Sequence, residues 1–187
     1  MLLQVVQSVT FFNLLHQIDV EFTWESRQKG CPHCGGSLHQ ANYKRKPRGG
    51  PVGLPEKYSI RFSLCCAREG CRGRTNPPSC LFMGRKVYWS AIILIATTLR
   101  QQRMQSASAR QLKKLFGVTH QTLLRWNRFF QNHFPQSPWW QKLRGSISAV
   151  VEDTNLPQAL VLFFIDSHHN PQDGLVALLK FFAYPSL

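Results

Sequence analysis

RFSLCCAREGCRGRTNPPSC, residues 61–80, concentrates four cysteines and four arginines in one short stretch. A second stretch upstream, GCPHCGG at residues 30–36, adds a C-x2-C pair followed by glycines. Cys31 and Cys34 of this pair, with Cys66 and Cys71 at C-x4-C spacing, can supply four thiolates to one tetrahedral Zn²⁺ if each pair ends a β-hairpin. The spacing therefore predicts a four-cysteine zinc site. Its role should be structural, because four thiolates leave no coordination position for water.

Two further cysteines, Cys65 and Cys80, are predicted to lie outside the zinc site. Apolar residues alternate between Ile60 and Cys66, so one row of this strand should face inward and the adjacent Cys65 should face the other way. Cys80 follows NPPS and is expected to be a small buried residue. A four-thiolate iron site, or a set of unrelated core cysteines, remains the alternative.

The charge of the chain points to a polyanionic partner. The formal net charge is +14 and the sequence pI is about 10.1. No acidic residue lies between Glu69 and Glu152, whereas thirteen lysines and arginines lie from Arg72 to Arg144. An uncompensated basic stretch of this length predicts a nucleic-acid-binding face. A basic surface that serves only solubility is the alternative.

Part of this charge surrounds the predicted zinc site. The stretch NYKRKPRGGPVGLPEKY, residues 42–58, is rich in Gly, Pro and cations and is predicted to be a flexible loop between the two hairpins. The predicted phosphate contacts of this region are Lys44, Arg45, Lys46, Arg48, Arg61, Arg68, Arg72 and Arg74.

No membrane segment or export signal is predicted. Residues 1–29 begin without a positively charged region and are expected to form an amphipathic helix that packs on the body. The apolar run at residues 87–99 is about thirteen residues long, whereas a membrane span needs roughly 20. The six cysteines are therefore expected to be reduced thiols in the cytoplasm rather than a disulfide framework.

Helical spacing replaces strand alternation after residue 84. Residues 84–104 are predicted to form one long helix. Ser106 or Ser108 can cap a second helix that ends at Phe116, Gly117 can make the turn, and Thr119 can cap a third helix that ends near Phe130. The predicted contacts between these two shorter helices are made by Ala109, Leu112, Leu115, Val118, Leu123 and Trp126.

The motif ARQLKKLFGVTHQTLLRW, residues 109–126, resembles the helix-turn-helix of bacterial transposases. Coupled to a zinc ribbon, residues 30–140 are similar to short zinc-ribbon/helix-turn-helix proteins encoded within insertion sequences. The resemblance implies a cytoplasmic, nucleoid-associated bacterial protein whose second helix enters the major groove of DNA. The implied base contacts are Thr119, His120, Gln121, Thr122 and Arg125, and the implied backbone contacts are Lys113, Lys114 and Arg128. A helical hairpin with a solvated basic face, or one that binds protein, is the alternative.

The rest of the chain, residues 141–187, is predicted to form two apolar helices broken at HHNPQDG. These helices are expected either to be buried within the chain or to serve self-association or transposase docking. Four acidic residues lie in this tail, at Glu152, Asp153, Asp166 and Asp173. No predicted strands carry them as a three-acid transposase would require. A metal-dependent nuclease or transposase is therefore the alternative rather than the prediction.

The sequence as a whole predicts an α+β protein with four segments. Residues 1–29 form an N-terminal helix, residues 30–83 a zinc ribbon with a basic loop, residues 84–140 a mainly α-helical helix-turn-helix domain, and residues 141–187 a packing or interaction segment. The predicted function is non-catalytic, sequence-specific DNA binding as an accessory factor or regulator of a transposable element. An RNA-binding subunit of a ribonucleoprotein is a further alternative.

Overall fold

The computed structural model describes residues 2–101, 108–147 and 151–183. Of these residues, 56% are helical and 9% lie in strands or bridges, and the sheets are small and antiparallel. The prediction of a mixed α+β fold is confirmed at this level. The helices are α1 (Leu2–Val6), α2 (Val9–Lys29), α3 (Ser90–Gln101), α4 (Ala109–Phe116), α5 (His120–Arg128), α6 (Pro138–Leu143), α7 (Gln158–Asp166) and α8 (Pro171–Ala183). Short 3₁₀ turns lie at Glu56–Ser59, Arg144–Ser146 and Asp153–Asn155, and a π-helical turn lies at Phe129–His133.

Five short strands form two sheets around the cysteine pairs. The strands are β1 (Leu38–Gln40), β2 (Tyr43–Lys44), β3 (Ile60–Arg61), β4 (Leu64–Cys66) and β5 (Arg74–Thr75). The first sheet has the order β1–β4–β5, with Leu38 opposite Cys66 and Cys65 opposite Arg74. The second sheet pairs β2 with β3. Pairing β1 with β4 therefore brings the two cysteine-bearing turns to one end of the first sheet.

Helix α3 is at the centre of the main hydrophobic core. All of its residues from Ala91 to Ala96 are at most 1% exposed, as expected of a helix that is apolar on every side. Helices α1, α4, α5, α7 and α8 all contact it. The core joins α2 to these helices through Phe11, Phe12 and Leu15. A second, much smaller cluster consists of Cys31, Leu38, Leu64 and Cys66.

The long helix predicted for residues 84–104 begins only at Ser90. Before it, the chain is extended: Phe82 and Trp89 form an antiparallel bridge, and the Ser90 N–H donates to the Leu81 carbonyl (3.0 Å). Arg48 also pairs with this segment, donating its N–H to the Val87 carbonyl (2.9 Å). Long-range pairing satisfies backbone groups that a helix would have satisfied locally, which is why the helical prediction fails there. The last residues of the predicted helix, 102–104, lie outside the described residues.

Other differences from the predicted packing are local. The N-terminal segment forms two helices instead of one, with a break at Gln7 and Ser8. Leu115 was expected between α4 and α5, but it is 43% exposed, and Leu112, Leu123 and Trp126 make the buried contact instead. Ser106, one of the two predicted caps of α4, lies outside the described residues.

The C-terminal helices pack within the chain: six of their fifteen apolar residues are buried, and all of the others except Leu162 are half-buried. Helix α7 packs on α8, and both contact α3. Their close approach depends on Gly174, where a Cβ atom would lie 2.6 Å from the Phe164 carbonyl oxygen. Buried positions in these helices include Leu160, Leu175 and Leu178. Within the described ranges, no helix is both long and apolar enough to cross a membrane.

Candidate metal centre and nucleic-acid surface

The thiols of Cys31, Cys34, Cys66 and Cys71 converge on one point. Their Sγ atoms all lie within 4.8 Å of one another, with 3.8 Å between Cys31 and Cys71 and 3.5 Å between Cys34 and Cys66. Sulfur atoms about 2.3 Å from a tetrahedral Zn²⁺ are separated by about 3.8 Å. The four cysteines could therefore hold a metal ion, and their spacing fits zinc. We call residues 31–75 the four-cysteine module.

The first cysteine turn is closed by backbone hydrogen bonds. The Cys31 N–H donates to the Gly36 carbonyl (2.9 Å), and the Gly35 N–H donates to the Cys31 carbonyl (2.8 Å). Gly35 has a φ of +68°, which an L side chain rarely adopts. A Cβ atom at Gly36 would lie 3.3 Å from the Cys66 Sγ and 3.4 Å from the Cys34 Sγ. The glycines therefore let the backbone approach the sulfur atoms closely.

The second cysteine turn connects β4 to β5. The Cys66 N–H donates to the Gly73 carbonyl (2.9 Å), and the Cys71 N–H donates to the Arg68 carbonyl (3.2 Å). The Arg68 N–H points at the Cys66 Sγ (3.4 Å). Arg72 has a φ of 45°, an uncommon conformation for a residue other than glycine. The backbone of this turn thus directs an N–H group at one of the converging thiols.

Backbone N–H groups also favour the ionised form of the first pair of thiols. The N–H of Gly36 contributes most to lowering the pKa of Cys34 to about 6, and the N–H of His33 contributes most to lowering the pKa of Cys31. At Cys66 the N–H of Arg68 acts in the same direction, but burial and the neighbouring thiols outweigh it and raise the pKa to about 12. A divalent cation among the four sulfur atoms would offset their mutual repulsion and hold all four as thiolates.

Cys65 and Cys80 lie outside this group of four. The Cys65 thiol points to the Arg72 carbonyl (3.6 Å). Cys80 is fully buried, and burial raises the pKa of its thiol. Of the described residues, only Cys31, Cys34, Cys66 and Cys71 form a group of three or more Cys, His, Asp or Glu side chains positioned to bind one ion.

Arg61 is not a surface cation as predicted. It is 8% exposed, and it donates to the carbonyls of Pro77 (2.5 Å) and Phe62 (3.1 Å). The alternation expected of one continuous strand predicted that Arg61 faces outward. The strand is instead interrupted, because Phe62 and Ser63 lie between β3 and β4, and Ser63 is buried as well. The attraction of Arg61 to the buried Asp19 partly offsets the cost of burying it. Arg61 therefore belongs to the interior.

The remaining predicted cations of the module differ in their surroundings. Arg68, Arg72, Arg74, Lys46 and Arg48 are exposed. Lys44 is also exposed and forms an ion pair with Glu56 (2.6 Å). Arg45 is half-buried, donates to the carbonyls of Gly84 (2.8 Å) and Lys86 (2.7 Å), and lies 5.0 Å from the centre of the Phe82 ring. Its guanidinium thus fastens the loop to the segment before α3.

Helices α4 and α5 begin and turn at the predicted residues. Ser108 accepts from the Gln111 N–H (3.2 Å) while the Gln111 side chain accepts from the Ser108 N–H (2.7 Å), a capping box at the start of α4. Gly117 ends α4 in the left-handed conformation with a φ of +63°. Thr119 caps α5 by accepting from the Thr122 N–H (3.3 Å). The cap at Ser108, the turn at Gly117 and the cap at Thr119 therefore set the ends of the helical hairpin formed by α4 and α5.

The outer face of the hairpin is mostly polar and basic, although Leu115 and Leu124 are also exposed. The apolar side chains of Leu112, Leu123 and Trp126 are buried. Thr122 is half-buried. The exposed residues among those expected to contact nucleic acid are Lys113, Lys114, Thr119, His120, Gln121, Arg125 and Arg128. The two helices thus bury one face and leave these side chains on the other.

The basic loop of the four-cysteine module lies against the turn between α4 and α5. A Cβ atom at Gly49 would lie 3.1 Å from the Phe116 carbonyl oxygen and 2.8 Å from the Cγ2 of Ile92. The Tyr88 hydroxyl donates to the Gly117 carbonyl (3.1 Å). Arg48 is therefore brought next to the hairpin. For Arg72 and Arg74, no hydrogen bond or ion pair to α4 or α5 is present among the described residues.

Asp153 and Asp173 of the C-terminal tail have partners of their own. Asp153 accepts from the Trp140 indole N–H (2.8 Å) and forms an ion pair with Arg144 (3.1 Å). Asp173 accepts from Asn170 (2.7 Å) at the start of α8. These contacts tie the tail to α6 and cap a helix.

Comparison with known proteins identified no relatives. Models of protein families, curated proteins and solved structures all gave no match.

Two features of the surface were missed by sequence reasoning. Lys86 and His133 lie beside Arg125 and Arg128 in one groove, although neither residue belongs to the helical motif. The only sequence signal for this groove was the absence of acidic residues between Glu69 and Glu152. That signal marks the whole stretch as basic but does not indicate which of its basic residues lie together.

Proposed function

We propose that the chain is a non-catalytic, sequence-specific DNA-binding protein that uses α4 and α5 as a helix-turn-helix. The observation that carries this proposal is the division of the hairpin into a buried apolar face and an exposed face with cations and amides. Helix α5 supplies His120, Gln121 and Arg125 near its N-terminal end, the part that meets base edges in such motifs. Gln121 suits adenine, and Arg125 suits guanine.

Attachment of the hairpin to the rest of the molecule supports the proposal. Tyr88 and Gly49 contact the turn between the helices, so α5 is held at a defined angle to the body. Lys113 and Lys114 on α4, and Lys46 and Arg48 on the loop, provide exposed charge on both sides of this turn. Such residues would neutralise phosphates and set the position of α5 without reading the sequence.

In this proposal the four-cysteine module is a zinc ribbon with a structural role. Its apolar cluster has only four residues, which is too little to stabilise a fold by burial alone. Bound Zn²⁺ would replace the missing core and keep the basic loop close to the hairpin. The narrower suggestion of an accessory factor or regulator of a transposable element, with a transposase as partner, rests on the resemblance of residues 30–140.

Selection of bound duplexes from random DNA tests the proposal. A preferred sequence should emerge, and it should compete for binding far better than mixed DNA. Arg125→Ala should relax the preference by about 1–3 kcal/mol at one position. Arg27→Ala, which removes an exposed arginine at the end of α2, is the matched control and should leave the preference unchanged.

Three results would count against the proposal. Equal competition by all duplexes would eliminate sequence specificity, and preference for RNA over DNA in a direct competition would favour the ribonucleoprotein alternative. Cleavage of DNA in Mg²⁺ or Mn²⁺ that is abolished by Asp153→Ala would show an enzyme instead.

A further inference from the structure

A groove lies beside α5, between this helix and the extended segment that precedes α3. Its volume is about 550 Å³, which is within the range of ligand clefts. Four basic side chains line it: Lys86, Arg125, Arg128 and His133. None of the described residues that line the groove is acidic. The groove is therefore suited to an anion.

The π-helical turn after α5 brings His133 into this groove. In a regular helix Arg125 and Arg128 would share a face with residue 132, because positions i, i+3 and i+7 align. Here the Phe134 N–H donates to the Phe129 carbonyl (2.8 Å), five residues back, so the turn contains one extra residue. The extra residue turns His133, rather than Asn132, toward the face that carries Arg125 and Arg128. His133 is accordingly among the residues that line the groove. Such turns often occur at functional sites.

Lys86 faces the arginines from the other side of the groove. Its Nζ lies 4.3 Å from the centre of the Phe129 ring, and burial lowers the pKa of its ammonium group. In the described part of the chain, no carboxylate lies within ion-pair distance of Lys86, Arg125 or Arg128. A half-buried ammonium group without a carboxylate partner gains from an anion, which would compensate for the water it has lost.

Rigid walls keep these groups in place. Tyr88 and Trp126 are both buried and meet edge to face, with 5.0 Å between their ring centres. Thr122 adds a hydroxyl group at the edge of the groove nearer the start of α5. A tetrahedral oxyanion that accepts several hydrogen bonds matches this combination of guanidinium, ammonium and hydroxyl donors.

We propose that this groove is a phosphate-binding site, and that it holds a backbone phosphate of the DNA strand next to the bases read by α5. The proposal rests on the proposed function, because α5 must lie against DNA for the strand to reach the groove. Lys86 and His133 then fix the strand from outside the helix-turn-helix, and Arg128 contacts the same phosphate from α5. A free polyphosphate offers the same chemistry and is the other source of ligand.

Lys86→Met and His133→Gln test the site singly and together in the full-length, metal-loaded protein. Methionine keeps the packing on Phe129, and His133 is exposed, so both variants should fold. We expect DNA affinity to fall at least about fivefold and, where Lys86 is replaced, the slope of affinity against salt to decrease by about 1, with the selected sequence unchanged. Lys57→Met is the matched control, since Lys57 lies over the Tyr58 ring (5.2 Å) but outside the groove.

Pyrophosphate titration separates this proposal from the proposed function. Backbone NMR signals of residues 122–133 should shift in the wild type and not in Lys86→Met. If DNA does not bind but pyrophosphate shifts these signals, the phosphate site stands, its ligand is a free polyphosphate, and the DNA-binding proposal fails. If DNA binds but both variants keep the wild-type affinity and salt slope, the DNA-binding proposal stands and the phosphate site is wrong. Absence of both responses overturns both.

Discussion

Asp19 connects α2 to the segment of chain that follows the four-cysteine module. It is 1% exposed, accepts a hydrogen bond from the Ser79 hydroxyl, and accepts another from the Cys80 N–H (2.6 Å). Burial raises the pKa of its carboxyl group to about 6, although these hydrogen bonds act in the opposite direction. A carboxyl group in helix α2 thus fastens the chain just before the main core residues Leu81 and Phe82.

The raised pKa of Asp19 predicts a pH-dependent stability. The folded protein holds this proton more tightly than the unfolded chain, whose aspartates titrate near pH 4. The contribution is therefore complete below about pH 4 and is lost as the pH rises through about 6, by an amount on the order of 2–3 kcal/mol. Asp19→Asn, which cannot titrate, should remove this component. Urea unfolding of both proteins at several pH values between 4 and 7 checks it, and identical pH profiles would refute it.

Cys71 and Cys65 are expected to differ in their effect on metal binding. Cys71→Ser should reduce bound metal and destabilise the protein, because its sulfur lies within 4.8 Å of the three others. Cys65→Ser, six positions earlier and outside the group of four, is the control and should retain the metal content of the wild type. Metal per chain measured by mass spectrometry under native conditions decides between them. Equal loss from both variants would refute the assignment of the ligands.

At the scale of elements, a loop and a helical hairpin are coupled through one glycine. Gly49 has a φ of +88° and faces Ile92 of α3 and the last carbonyl of α4. Its missing side chain allows the basic loop to lie against the turn before α5. The loop was predicted to be flexible, whereas the described structure pairs Arg48 with Tyr88 in a parallel bridge.

Gly49→Ala should be more destabilising than Gly53→Ala. Both glycines have positive φ values, so both variants incur backbone strain of about 1–2 kcal/mol. Only at Gly49 would the new Cβ meet other atoms within 4 Å, with the Cγ2 of Ile92 at 2.8 Å, whereas Gly53 faces open space. Overpacking should add about 1–3 kcal/mol. Chemical denaturation of the two variants measures the difference, and equal midpoints would show that the loop is not packed there.

At the scale of the whole molecule, stability comes from two sources of different size. The main core includes buried residues from all eight helices and none from the five strands. Helix α3 runs through it. The four-cysteine module has its own cluster of four residues, two of which are cysteines. Burial can maintain the first, whereas in the proposed zinc ribbon the second would depend on coordination of its thiolates.

Chelation should therefore unfold one part of the molecule and spare the other. A strong zinc chelator should open the β1–β4–β5 sheet, seen as rapid hydrogen exchange in residues 31–40 and 64–75. The helical circular dichroism should remain for the most part, because none of the four clustered cysteines belongs to the main core. Unchanged exchange in the module would mean that a bound ion does not support it, and complete loss of helicity would mean that both parts unfold together.

The sequence by itself determined features whose residue types follow short spacings along the chain. The C-x2-C and C-x4-C spacings predicted which thiols converge, and Ser108, Gly117 and Thr119 predicted the ends of the hairpin. Caps, turns and hairpin registers depend on hydrogen bonds within a few residues, so their residue types appear directly in the sequence. The mixed composition of helices and small sheets follows from the same local patterns.

The tertiary structure alone decided which polar groups are buried and which surfaces meet. Arg61 and Asp19 are interior, Leu115 is exposed, α3 begins at Ser90, and Lys86 lies opposite α5. Each of these outcomes depends on contacts between segments far apart in sequence, such as the bridge between Arg48 and Tyr88. Burial and long-range pairing outweigh local propensity because one buried hydrogen bond or charge is worth more free energy than the preference of a single residue for helix or strand.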